Sequence, residues 1–259
     1  MTRIKKWLVT LPIFLVAACS PQTGPLPLVV GMDLSYPPFE TIDERGEPMG
    51  VSVEMARALA ASMGRPLKIE NIPFVGLIPA LQQNRVDCVI SSMTVTEERK
   101  KSVAFSIPYL RTGLALLVGN SSGLTTIEDT PARTYVVRQG TTGEIWAREH
   151  LKQAHILAVE KENAAVLEVI QGKVDGFIYD QMSVWAHARN HPEKTRALLA
   201  PLQIEEWAVA MRRDDEALRT TVNPFLDNFR QNGGFDRLAA RFLSEQKRAF
   251  TEQGVPFVF

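Results

Sequence analysis

VDCVISSMTVTEERKKSVAFSIPY, residues 86–109, is the stretch that most constrains the fold of this chain. Its first five residues form an apolar run that predicts a buried strand. Hydroxyl side chains follow that strand, and Arg99 comes next, in what is typical of the first turn of a helix. The hydroxyl residues are Ser91, Ser92, Thr94 and Thr96. Open α/β sheets bind ligands at the carboxyl ends of their strands, so these groups predict a site for a small carboxylate. The stretch contains no evident nucleophile–base pair.

Composition and charge indicate an ordinary globular protein. The chain has 259 residues, of which 45% are hydrophobic and 22% charged, and its 29 basic and 29 acidic side chains give a formal net charge of zero. Nucleic-acid binding usually needs a basic excess, so we expect no nucleic-acid partner. Two cysteines cannot build a zinc site, and we expect neither a metal nor a cofactor. Cys88 lies in the apolar strand and is expected to pack as a small hydrophobic residue.

The N-terminal residues predict an export signal and a tether. Three basic residues precede an apolar run that ends at Cys19, so residues 1–18 match a signal peptide. The VAAC motif ending there resembles a bacterial lipobox, and this resemblance implies a lipid on Cys19 and a mature chain that begins with it. The alternative is a plain secretory signal with an incidental cysteine. Residues 19–27 are then expected to form a flexible tether.

The remaining chain alternates strand and helix patterns in two rounds. The first round has strands near 28–31, 67–72 and 86–90 with helices at 51–63 and 76–83; the second has strands near 135–137, 157–159 and 174–179 with helices near 142–146 and 164–171. Such alternation predicts an α/β fold with parallel sheets. Segments 81–92 and 170–180 also echo each other, because in both a Val-Asp pair starts a strand that ends at polar side chains. We therefore expect two similar lobes.

Two extended apolar segments, 111–118 and 206–211, predict crossings between these lobes. The first lobe would comprise residues 28–112 and 208–259, and the second lobe residues 113–207. A ligand would lie in the cleft between the lobes, which would close by hinge motion at the crossings.

With these motifs in this order, the chain resembles the bacterial extracellular solute-binding proteins of the polar amino-acid type (family 3), which serve ABC importers. The landmarks are YPPFE (36–40), GVSVEMARALA (50–60), FVGLIPALQQNRVD (74–87), SSMTVTEERKKSVAFSIPY (91–109), RQGTT (138–142), GKVDGFIYD (172–180) and NFRQNGGFDRLAARF (228–242). The resemblance implies a type II periplasmic-binding fold, a free amino acid as ligand and an ABC permease as partner. It also implies a monomer without enzymatic activity, held by its lipid anchor on the extracytoplasmic face of a bacterial membrane.

The same resemblance implies roles for individual residues. Arg99 matches the arginine that pairs with the ligand α-carboxylate, and Asp180 matches the acid that receives the α-ammonium. The other matched positions are Ser91, Ser92, Thr94, Thr141 and Thr142 as hydroxyl or backbone partners, Tyr36 and Phe74 as aromatic walls, and Asp33 and Arg138 near the ligand side chain. Physical chemistry agrees, because a zwitterion taken out of water needs a partner at each pole.

Ordinary structural roles stay open for these residues. Arg99 and Arg138 would then face solvent, Asp180 would cap a helix, Asp33 would form an Asx turn, and Tyr36 and Phe74 would be core aromatics. The cues to the amino acid also conflict. A cleft-facing Arg138 favours acidic or polar ligand side chains, whereas Asp33 favours basic or amide ones.

Two other functions fit the same fold. Cyclohexadienyl dehydratases resemble solute-binding proteins and eliminate water from prephenate or arogenate, which needs a general acid. Glu144, just after the RQGTT turn, is the nearest candidate for that acid, although a first-turn glutamate is its ordinary interpretation. The second alternative is an amino-acid-sensing lipoprotein that serves no importer.

Overall fold

The structure is a computed structural model that describes residues 24–127 and 133–255. The predicted signal peptide, Cys19 and the first part of the predicted tether lie outside the described residues. Among the residues described, no helix combines the length and the apolar character that crossing a membrane requires.

The strands and helices follow the predicted alternation. The strands are β1 (Leu28–Met32), β2 (Thr41–Ile42), β3 (Pro48–Met49), β4 (Leu67–Asn71), β5 (Cys88–Val89), β6 (Ala104–Phe105), β7 (Leu110–Gly119), β8 (Thr134–Arg138), β9 (His155–Val159), β10 (Gly176–Asp180), β11 (Thr195–Trp207) and β12 (Ala210–Met211). The helices are α1 (Val51–Ser62), α2 (Leu77–Gln82), α3 (Glu97–Lys100), α4 (Thr142–His150), α5 (Glu162–Ile170), α6 (Gln181–Asn190), α7 (Glu216–Gln231), α8 (Gly234–Phe242) and α9 (Ser244–Glu252).

These strands form two five-stranded sheets of matching design. The first sheet has the order β4-β1-β5-β12-β6, and the second has the order β11-β7-β10-β8-β9. In each sheet the earliest parallel strand is flanked by the next two, since β1 lies between β4 and β5, and β8 lies between β9 and β10. Antiparallel strands complete both sheets, with β12 beside β5 and β7 beside β10. The predicted α/β fold is therefore confirmed, with the addition of these antiparallel strands.

The sequence echo corresponds to one repeated structural device. Asp87 precedes β5, accepts a hydrogen bond from Val29 N at 3.0 Å and pairs with Arg65 at 2.9 Å. Asp175 precedes β10, accepts one from Thr134 N at 2.9 Å and pairs with Arg133 at 2.7 Å. In both sheets an aspartate thus ties the start of the third parallel strand to the start of the first.

Helices cover both sheets with apolar contacts. Leu77 and Leu81 of α2 pack with Val89 on one face of the first sheet. Trp146 of α4 packs with Ile178 on one face of the second. A larger apolar cluster, to which α1 and α5 contribute, covers the opposite faces. The central strands are thus buried on both faces, which is the usual environment of parallel strands and explains their continuous apolar character.

The two crossings run side by side. β7 and β11 pair antiparallel from Leu110↔Trp207 to Gly119↔Thr195, with a register shift between Leu198 and Gln203. The sequence predicted most of β7 but only the last part of β11. The rest of β11 was missed because its polar residues and Pro201 break the apolar pattern.

Candidate ligand-binding site

One cavity, called here the central cavity, collects every residue that the sequence singled out as a ligand contact. Its empty space is about 450 Å³, counted together with its opening to solvent. The predicted residues that line it are Asp33, Tyr36, Phe74, Ser91, Ser92, Thr94, Arg99, Arg138, Thr141, Thr142 and Asp180. Five further residues complete the lining: Glu40, Leu114, Tyr179, Glu205 and Trp207. The structure brings the predicted set together, and their binding role stays a prediction.

The fold explains this convergence. Asp33 directly follows β1, Ser91 follows β5, Arg138 ends β8 and Asp180 ends β10. These are the carboxyl ends of parallel strands from both sheets, where open α/β sheets place ligands. The sheets therefore face each other across the cavity and supply opposite walls.

Arg99 lies on the first wall in a buried position. Thr96 caps α3 by accepting a hydrogen bond from Arg99 N at 3.1 Å, which fixes the start of this helix. Its guanidinium donates to Thr94 O at 2.7 Å and to Gly140 O at 3.2 Å. Only 8% of the residue is exposed, so the solvent-facing alternative is wrong. Burial lowers the pKa of Arg99 to about 10, although the charge of Glu205 opposes this shift.

Among the described residues, no carboxylate lies within ion-pair distance of the Arg99 guanidinium. Its two hydrogen bonds inside the cleft go to neutral carbonyl oxygens. A buried guanidinium in such surroundings is stabilised by an added anion, and a carboxylate matches its forked geometry.

Asp180 lies on the second wall and serves two purposes at once. Its Oδ1 accepts hydrogen bonds from Met182 N at 2.9 Å and Ser183 N at 3.1 Å, so it caps α6. It also lines the central cavity while only 5% exposed. Burial raises the pKa of Asp180 to about 7, and the charges of Glu162 and Glu205 act in the same direction. A cation placed beside it would restore the carboxylate.

Asp33 and Arg138 form an ion pair that joins the two walls. Arg138 Nη2 lies 2.5 Å from Asp33 Oδ2, and the two side chains are 7% and 10% exposed, respectively. Phe74 N and Ser35 Oγ also donate to the Asp33 carboxylate, and Arg138 Nη1 donates to the Tyr179 hydroxyl at 3.1 Å. The alternatives of an exposed Arg138 and a merely local Asx turn at Asp33 are therefore wrong. Because the two charges neutralise each other, this pair indicates neither an acidic nor a basic side chain for the ligand.

Glu40 organises the hydroxyl groups of the first wall. It is fully buried and accepts hydrogen bonds from Ser52 Oγ at 2.6 Å, Ser92 Oγ at 3.1 Å and Ser91 Oγ at 3.3 Å. Burial raises its pKa to about 8, although these hydroxyls lower it in part. The predicted donors Ser91 and Ser92 thus point their hydroxyls at a largely protonated carboxyl group near neutral pH.

Aromatic side chains surround this polar lining. The Tyr36 ring stacks on Phe39 with centroids 5.5 Å apart and meets Trp207 edge-on at 5.9 Å. Tyr179 approaches the same ring from the second sheet at 6.0 Å. Phe74 lies under two cations, Arg99 at 5.3 Å and Arg138 at 5.9 Å from its ring centre. These rings give the cavity apolar walls of low polarity, next to which electrostatic contacts are stronger than in water.

Glu144, the general-acid candidate of the dehydratase alternative, is engaged elsewhere. Its Oε2 accepts a hydrogen bond from Gly140 N at 2.8 Å, and its Oε1 pairs with Arg148. It does not belong to the lining of the central cavity. The described ranges also contain no group of three side chains that would hold a metal ion. Cys88 is buried, and burial raises its pKa to about 12, as suits a packing role.

The comparison with known proteins identifies the family. A sequence profile of the bacterial extracellular solute-binding proteins, family 3, matches residues 28–245, and the chain belongs to this family. The predicted family is therefore confirmed, and with it an extracytoplasmic location, since the members are extracellular binding proteins.

Individual relatives agree with this assignment. The L-cystine-binding protein TcyJ of Escherichia coli K12 is 28% identical over 222 residues, which cover 83% of this chain and 82% of that protein. A solved structure of a mutant of ArgBP from T. maritima is 34% identical, has a TM-score of 0.79 and covers 84% of this chain and 95% of its own. A solved ancestral amino-acid-binding protein, described as a precursor of cyclohexadienyl dehydratase, is 33% identical with a TM-score of 0.77, covering 83% and 95%.

These similarities confirm the type II periplasmic-binding fold. The relatives carry the names of binding proteins, in agreement with the prediction that the chain is not an enzyme. Even the relative connected with a dehydratase is described as an amino-acid-binding protein.

Proposed function

We propose that the central cavity binds one free α-amino acid as a zwitterion and that the chain delivers it to an ABC permease. The observation that carries this proposal is the placement of Arg99 and Asp180. Both are buried in one cavity, where Arg99 of α3 lies on the first wall and Asp180, at the end of β10, lies on the second. Arg99 would hold the α-carboxylate and Asp180 the α-ammonium. A ligand that lacks either charged group cannot bridge the two walls.

The turn 138–142 supports this assignment from the second wall. Gly140 adopts φ of 75° and accepts the Arg99 hydrogen bond through its carbonyl oxygen, so the turn already contacts the carboxylate-binding arginine. Thr141 Oγ1 donates to Arg138 O at 2.7 Å and braces the start of α4. Backbone amides at a helix start favour an anion, which suits the same ligand carboxylate.

The wider setting of the function is also a proposal. Residues 28–112 with 208–259 would form the first lobe and residues 113–207 the second, with β7 and β11 as the crossings. A lipid on Cys19 would tether a monomeric chain to the membrane, close to the permease. Several acyl chains on one residue would hold it firmly, because each buried CH₂ contributes roughly 0.8 kcal/mol.

Calorimetric titration of the purified chain with the twenty amino acids tests the proposal. We expect at least one to bind, and we expect Arg99→Ala and Asp180→Asn each to weaken that binding at least about a hundredfold. Glu149→Gln is the matched control, because it removes a charge from an exposed position of α4 that does not line the cavity. If no amino acid binds, or if Arg99→Ala binds like the wild type, the proposal is wrong.

A further inference from the structure

Glu205 is a carboxylate that no motif pointed to, yet it lies in the wall of the central cavity. It sits in β11 with only 3% of its surface exposed. Its Oε2 accepts a hydrogen bond from Thr94 Oγ1 at 3.0 Å. Its Oε1 is buried and has no hydrogen-bond partner among the described residues. A buried carboxylate oxygen without a partner is costly, and a ligand that supplies a donor would remove that cost.

The other charges of the cavity leave Glu205 uncompensated. Asp33 and Arg138 neutralise each other at 2.5 Å. If Arg99 takes the α-carboxylate and Asp180 takes the α-ammonium, those two groups are matched as well.

Glu40 does not alter this balance. Three serine hydroxyls satisfy it, and burial raises its pKa to about 8, so it is mostly neutral at pH 7. Glu205 then remains. Burial raises its pKa and the charge of Arg99 opposes this shift, so a cation beside it would stabilise the carboxylate. In that ionised form Glu205 leaves the ligand-bound cavity one negative charge in excess.

We propose that Glu205 binds a positively charged group of the ligand and that the cavity therefore selects amino acids of net charge +1 over neutral ones. This inference rests on the proposed function and adds the ligand class to it. The contacts of Glu205 support it. Thr94 donates to one carboxylate oxygen and orients it. The second oxygen has no hydrogen-bond partner in the part of the chain that the structure describes, so it can accept from the ligand.

L-arginine and L-citrulline are the probes, because they differ by charge at nearly constant shape. In calorimetric titrations of the wild-type chain at pH 7.5, we expect L-arginine to bind at least about tenfold more tightly than L-citrulline. Equal affinities, or tighter binding of L-citrulline, would overturn the inference. This comparison needs no variant, so it does not depend on how a mutant folds.

Glu205→Gln assigns the effect to this side chain. We expect it to weaken L-arginine binding at least about tenfold and to leave L-citrulline binding within about threefold of the wild type. The control is Glu206→Gln, which removes the same charge from the exposed neighbour on β11 and should change neither affinity. An unchanged L-arginine to L-citrulline ratio in Glu205→Gln would overturn the inference. Failure of the proposed function would look different, since no amino acid of the full panel would then bind.

Discussion

Arg138 Nη2 lies 2.5 Å from Asp33 Oδ2, and these residues are 105 positions apart in the chain. The pair links the end of β8 in the second sheet to the end of β1 in the first. It joins the two walls of the central cavity. A second groove lies beside the central cavity. Both are lined by Asp33, Phe74 and Arg138, so the ion pair stands at the boundary between them.

Because it is buried and joins both walls, this ion pair is expected to favour the closed arrangement of the cleft. Asp33→Asn would leave the Arg138 charge buried without its partner, a change that costs about 3–5 kcal/mol in other buried pairs. Opening the cleft would let Arg138 reach water. We therefore expect a larger radius of gyration for ligand-free Asp33→Asn than for the wild type, measured by small-angle X-ray scattering. Asp214→Asn, at an exposed position, is the control. Identical scattering from wild type and Asp33→Asn would contradict this role.

The raised pKa of Glu40 leads us to expect that the free energy of unfolding falls as the pH rises. Its pKa is about 8 in the folded chain, against 4.5 for an ordinary glutamate. The folded state thus holds a proton that the unfolded state has lost. This contribution is fully present below pH 4.5 and is lost toward pH 8, by at most about 1.4 kcal/mol per pH unit. Glu40→Gln removes it, so urea unfolding of this variant should depend less steeply on pH between 5 and 8. Equal slopes for variant and wild type would refute this assignment.

Asp180 predicts that ligand affinity falls in acid. Its pKa is about 7 without a ligand, and only the carboxylate attracts an ammonium group. Binding should therefore release protons at pH 6.5, and the dissociation constant should rise by up to about tenfold per pH unit below 7. Calorimetry at one pH in buffers of different ionisation enthalpy measures the proton release. Circular dichroism at each pH checks that the chain is folded. Constant affinity from pH 8 to 5.5 would show that Asp180 does not hold the ammonium.

The repeated aspartates predict matched effects on stability. Asp87→Ala and Asp175→Ala each remove the carboxylate that accepts from a backbone amide and from an arginine, at a cost of about 1–3 kcal/mol. We expect both variants to unfold at lower urea concentration than the wild type and to bind the ligand normally at 15 °C. Neither residue lines the central cavity. A binding defect in a variant that is fully folded would contradict this structural interpretation.

Much of the site could be predicted from local pattern. Asp180 ends an apolar strand, and Arg99 lies on the short helix that comes after another one. A parallel sheet brings the ends of such strands to one edge. The family resemblance then distinguished them from ordinary surface or capping residues. For Asp180 the sequence offered a capping role and a ligand-binding role as alternatives. The structure shows that the residue caps α6 and also lines the cavity.

Other features of the site depend on how distant segments pair, and local sequence patterns do not predict that pairing. Glu205 and Glu206 are adjacent, and only the register of β11 against β7 turns Glu205 inward, opposite Thr112. A shift of one residue would exchange the two side chains. The Asp33–Arg138 pair was likewise invisible, because each residue alone indicates a different ligand.

The central claim is that Arg99 and Asp180 hold the two charged groups of an amino acid. A crystal structure with the tightest-binding amino acid of the calorimetric panel tests it most directly. We predict the α-carboxylate within hydrogen-bond distance of the Arg99 guanidinium and the α-nitrogen within hydrogen-bond distance of an Asp180 carboxylate oxygen. A ligand bound outside the central cavity, or in it with neither contact, would contradict the claim.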